Sequence, residues 1–116
     1  MSNLSELLPT GGGQNAVNFV ASGNLASGQA VALKTDGTVE AASANYTSFI
    51  GITSKAISSG ATGAINTYGG INTAQTGLTI ASDYYVQSNG SLSTTTSSVK
   101  AGQAISATTI NLKDFT

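Results

Sequence analysis

The chain has 116 residues, of which 40% are apolar, enough for one small domain whose core would gain from association. Only 8% are charged and the formal net charge is −1, so the surface must be covered by Ser, Thr, Asn, Gln and Gly. With no cysteine and no histidine, disulfide scaffolds, thiolate nucleophiles, the usual zinc sites and histidine acid–base chemistry are all excluded.

Lys34, Lys55, Lys100 and Lys113 are the only cations, and they form no run that could neutralise phosphates or anchor on anionic lipid. No apolar run nears the roughly 20 residues of a membrane span. The expectation is a soluble chain that partners neither nucleic acid nor membrane.

Residues 1–16 read as an arm. Asn3 and Glu6 have the spacing of a capping box over a short helical turn that ends at Pro9. Gly11-Gly12-Gly13 has too much backbone freedom to be held cheaply in an isolated domain, so the arm is expected to be flexible unless a partner binds it. Leu4, Leu7 and Leu8 supply apolar anchors, and the backbone after Pro9 is suited to lie along a partner's sheet edge. A plain disordered tail is the alternative. The segment lacks the positive n-region and apolar stretch of a signal peptide, so no export is expected.

From Val17 onward, short β-type segments alternate with Ser/Gly/Asn turns. Strands are expected at 17–21, 29–34, 38–41, 48–54, 63–68, 84–87, 91–93, 100–106 and 109–113. No stretch has useful helical periodicity. The fold class is all-β, a small barrel or sandwich forming a single domain over 17–116.

Asn89-Gly90, between Tyr84–Gln87 and Ser91–Ser93, predicts a two-residue type I′ hairpin turn. An earlier stretch repeats this pattern. A shift of 53 (78 − 25) sets Leu25 on Leu78, Val31 on Tyr84, Leu33 on Val86, Asp36-Gly37 on Asn89-Gly90 and Val39 on Leu92. The domain therefore reads as two related halves, about 17–70 and 71–116. Gly51 and Gly102 each sit inside a strand, which predicts a bulge or a close approach of another backbone.

Catalysis would rest on five carboxylates, Glu6, Asp36, Glu40, Asp83 and Asp114. Asp36 has a sufficient role in its turn, Glu6 lies on the arm and Asp114 is near the chain end. Glu40 and Asp83 lack a third group to orient them as a glycosidase pair. The glycine clusters lack the lysine and helix of a phosphate loop. The sequence therefore predicts a protein that is not an enzyme, with no catalytic residues, no metal and no cofactor. Tyr68, Tyr84 and Tyr85 are candidates for a subunit interface, with stacking on sugars as the alternative. Because Tyr84 and Tyr85 are adjacent on a strand, one can be buried while the other is free.

Taken together, several segments resemble the virion structural proteins of tailed bacteriophages, in particular small capsid decoration (cement) proteins and related fibre modules. The segments are Leu7–Asn15, Ala26–Val31, Phe49–Ile52, Tyr84–Val86 and Ser97–Ala104. The resemblance implies a homotrimer on the outer capsid surface that binds the major capsid protein and stabilises its subunit contacts. Its arm would grip the shell through Leu4, Leu7, Leu8, Pro9, Gly11, Gly12 and Gly13. A tail or head fibre module that binds a host receptor or glycan is the alternative the resemblance leaves open.

Overall fold

The computed structural model describes residues 16–113, and the arm residues Leu4, Leu7, Leu8, Pro9, Gly11, Gly12 and Gly13 lie outside them. Ten short strands form two antiparallel five-stranded sheets that pack as a β sandwich. The first half contributes β1 (Ala16–Val20), β2 (Ala30–Leu33), β3 (Val39–Ala41), β4 (Phe49–Thr53) and β5 (Thr62–Thr67). The second contributes β6 (Ile71–Asn72), β7 (Asp83–Val86), β8 (Leu92–Ser93), β9 (Lys100–Ala104) and β10 (Ile110–Leu112). Nine of these lie where alternation places them. β6 was not anticipated, because two residues after Gly69-Gly70 carry no alternation.

Strand order is β1-β5-β4-β2-β3 in sheet one and β6-β10-β9-β7-β8 in sheet two, the same order with every strand number raised by five. The hairpin bonds recur as well. Lys34 N donates to Thr38 O (2.8 Å) and Gly37 N to Lys34 O (3.0 Å), while Gln87 N donates to Ser91 O (2.8 Å) and Gly90 N to Gln87 O (2.8 Å). Each loop thus holds three residues, and only its glycine has positive φ, +88° at Gly37 and +85° at Gly90. This corrects the expected type I′ turn. A type I turn followed by a left-handed glycine is used instead, because Asp36 and Asn89 serve better as side-chain acceptors. Asp36 Oδ1 accepts from Thr38 N (3.0 Å) and Oγ1 (2.7 Å), and Asn89 Oδ1 accepts from Ser91 N (3.0 Å) and Oγ (2.7 Å).

A bulge falls at the same place in both sheets. Val31 faces Gly51 and Ala32 faces Phe49, so Ile50 is the extra residue; Tyr84 faces Gly102 and Tyr85 faces Lys100, so Ala101 is. A Cβ on Gly51 would run into the carbonyl oxygen of Asn66, and one on Gly102 into that of Asn111. Each glycine therefore meets both requirements read from the sequence, a bulge and a close backbone approach.

Each sheet has a front face, defined by Val31 and Ile65 in the first and by Tyr84 and Ile110 in the second. The back faces carry the cross-strand pairs Ala30–Ile52 and Ala32–Phe49 in sheet one, and Asp83–Gln103 and Tyr85–Lys100 in sheet two. The main core joins the front of sheet two (Tyr84, Val86, Ala104, Ile110, Leu112) to the back of sheet one (Ala30, Ile52). A second cluster (Leu25, Val31, Val39, Ile57, Ile65) lies on the front of sheet one, closed by the loops carrying Leu25 and Ile57. Asn72 joins the sheets at its fully buried side chain. Its Nδ2 donates to Thr53 O (2.9 Å) and Asn66 Oδ1 (2.8 Å), and its Oδ1 accepts from Ala74 N (3.1 Å) and Gln75 Nε2 (3.0 Å). All four bonds are made, so the buried amide holds one register without the cost of an unpaired polar group.

Candidate functional site

Where strand ends from the two halves meet, they leave a cleft of about 490 Å³ walled by Phe49, Tyr68, Tyr85 and the 96–99 segment. Phe49 opens β4 directly after the short 3₁₀ turn Tyr46–Ser48, and Tyr68 follows the last residue of β5. The two rings meet edge to face, with centroids 5.8 Å apart at 72°, the geometry their quadrupoles favour. The Tyr68 hydroxyl donates to Lys100 O and so spans the two halves. Tyr85 comes from β7, opposite Lys100 across the bulged ladder.

Lys100 has a side chain only 9% exposed, and its Nζ lies 3.3 Å from Asp83 Oδ2, so the cation is compensated within the protein. Ser97 Oγ donates to Val86 O (2.7 Å) and accepts from Val99 N (3.2 Å), which pins the wall segment to β7. The hydroxyls of Tyr85, Thr96 and Ser98 have no hydrogen-bond partner among the described residues. The cleft is thus aromatic, hydroxylated and without a free charge.

Tyr84 is buried, and its hydroxyl accepts from Thr79 N (2.8 Å), so it belongs to the core and not to a surface available to partners. Tyr68 and Tyr85 come together in the cleft. Phe49, Thr96, Ser98 and Lys100 complete it and were missed, since nothing in the chain links positions near 49 with positions near 100 until the sheets stack. Only the alignment of Phe49 with Lys100, each beginning the fourth strand of its half, hints at their kinship.

Two of the described carboxylates have partners within the fold. Asp36 bonds Thr38 in its turn, which holds its carboxyl below the usual range, and Asp83 faces Lys100. Glu6 and Asp114 lie outside the described residues. Among the described residues no group of three or more acidic side chains could hold a metal ion, and no helix is long and apolar enough to cross a membrane.

A second surface feature is β1. Among the described strands it is an edge of sheet one, its sequence Ala16-Val17-Asn18-Phe19-Val20 contains neither charge nor proline, and Val17 and Val20 are 48% and 39% exposed. No protein-family model and no curated protein matches the sequence.

Proposed function

We propose that this chain is a non-enzymatic structural protein of a phage virion that decorates the outside of the head and stabilises contacts between major capsid subunits. The observation that carries the reading is β1. An edge strand normally protects itself with a charge, a proline or a bulge, and a five-residue uncharged edge without these, apolar except at Asn18, is a template for backbone pairing with another chain. This edge continues directly from residues 1–15 in the sequence, the segment whose leucines the resemblance assigns to gripping the shell. Arm and edge are thus contiguous in sequence, so a partner that pairs with β1 would also meet the arm's leucines.

A homotrimer would engage three such edges and arms at once, and multivalency of that kind raises avidity by about 10²–10⁴ over one contact. Contacts made of backbone pairing and apolar anchors also change little with salt, which suits a chain with few charges.

Quantitative mass spectrometry of purified virions tests the reading, with about one chain per major capsid subunit expected. Leu7→Ser together with Leu8→Ser should abolish binding to undecorated heads while the fold survives, because burying each leucine is worth about 1.5–3 kcal/mol. A few copies at the tail, or undiminished binding by the variant, overturns decoration.

A further inference from the structure

We infer that the cleft between the halves binds a neutral carbohydrate. Three properties of the cleft select this ligand class. Its volume, about 490 Å³, lies within the roughly 300–1,000 Å³ of small-molecule sites, and it sits at a junction between two units, where such sites concentrate. Phe49 at the start of β4, Tyr68 just after β5 and Tyr85 within β7 supply aromatic surface, and the electron-rich faces of such rings attract the polarised C–H groups of a sugar. The Tyr85, Thr96 and Ser98 hydroxyls, unpartnered among the described residues, can each donate or accept at the rim.

Competing ligand classes fit less well. A purely apolar ligand would strip water from those hydroxyls and leave them unpaired, at a cost that its burial would have to offset. Nucleotides, sialylated and sulfated glycans need a cation, and the ammonium in the cleft, that of Lys100, faces Asp83. A pyranose has what the walls ask for, an apolar C–H face and a ring of hydroxyls with no charge. The inference stands apart from the decoration reading, because a chain at the head and a chain at the tail would present the same cleft.

The test uses the full chain on an array of neutral oligosaccharides (glucose, galactose, mannose and N-acetylglucosamine oligomers) beside sialylated, sulfated and uronic-acid ones. Amide shift perturbation then locates the strongest neutral binder. Binding to at least one neutral series is expected, with shifts centred on Tyr85, Thr96 and Ser98. Tyr85→Ala should weaken binding about tenfold, the loss of one aromatic contact of about 1.4 kcal/mol. Should Tyr85→Ala disturb β7, Thr96→Trp on the exposed wall segment fills the cleft without touching a strand, and it should block the same binding. No neutral glycan bound at millimolar concentration, a preference for acidic glycans, shifts mapping elsewhere, or binding unaffected by Thr96→Trp would each overturn the assignment.

Discussion

The two halves share a strand order, a bulge and a hairpin loop bond for bond, yet their back faces are chemical opposites. Where sheet one has the pairs Ala30–Ile52 and Ala32–Phe49, sheet two has Asp83–Gln103 and Tyr85–Lys100 at equivalent positions. The first set is covered by the front of sheet two; in the second, Asp83 is open to water and Lys100 pairs with it. The front faces differ in a complementary way. Eleven residues separate Thr53 from Ile65, long enough to fold Ile57 back over Gly63 and close the front of sheet one, whereas five separate Ala104 from Ile110. The second half needs no such flap, since the first half covers it. Backbone architecture thus comes from turn and bulge residues common to both copies, and the packing partner of each face is set by a handful of side chains that differ.

Exchanging residues between the copies gives the sharpest test. Ile52→Gln, which gives sheet one the residue of sheet two, loses about 1.5–3 kcal/mol of burial. It also leaves a buried amide unpaired at about 1–3 kcal/mol more. Chemical denaturation should show a loss of about 4 kcal/mol, and the reverse exchange, Gln103→Ile, should change stability by well under a quarter of that. A smaller loss for Ile52→Gln than for Gln103→Ile would contradict the assignment of covered and open faces.

Next in size are the bulge glycines. Gly102→Ala and Gly51→Ala both force a carbonyl to move, and each should cost about 3 kcal/mol, the upper end for overpacking, while Gly23→Ala, with open space around it, should cost little. Equal losses at Gly51 and Gly102 are expected if the two bulges are equivalent; a large disparity in melting would break the comparison.

Ala81 marks a smaller asymmetry. It has φ +72° at the position where the first half places Gly28, φ +70°, and both donate to the equivalent carbonyl, Ala104 O at 2.8 Å and Thr53 O at 3.0 Å. A left-handed alanine carries about 1–2 kcal/mol of strain, so Ala81→Gly should stabilise by about 0.5–1 kcal/mol after the added chain entropy of glycine. Gly28→Ala should do the opposite, since its Cβ would strike Ala74 O. Thermal melts of the two variants should move in opposite directions.

The smallest effect separates the hairpin loops. Thr38 bonds favour the ionised form of Asp36 and lower its pKa on folding, so the stability this adds is present above the unfolded value and lost as pH falls through the folded one. Below about pH 3.9 the first loop should loosen while the Asn89 loop does not, which amide exchange can follow. Asp36→Asn should remove the difference, and persistent acid sensitivity in that variant would assign it elsewhere.

Sequence reading reached the class, the strands and the pairing of the copies because those depend on local chemistry: alternation, Asp36-Gly37 against Asn89-Gly90, and Gly51 against Gly102. It stopped at relations between distant residues. Tyr84 and Val31 align, but only the stacking shows that Tyr84 lies in the main core while Val31 lies beneath a flap. For the same reason the cleft was half visible: its tyrosines stand out in a chain with few aromatics, whereas Phe49 and Lys100 become neighbours only when one sheet lies on the other. The turn type was misjudged because Asn-Gly fits two loop geometries, and what separates them is the acceptor role of the Asn89 side chain.

Front-on-back stacking is a heterologous contact, and unlike a two-fold contact it does not close on itself. A third unit could be added to the second by the same step, and so on without limit. What halts growth is the chemistry at the two ends, the Ile57 flap on one and the Asp83–Lys100 pair on the other. Those few residues therefore limit front-on-back stacking to the two units of one chain, and only removing both caps, the Ile57 flap and the Asp83–Lys100 pair, would leave a front and a back face able to stack from chain to chain.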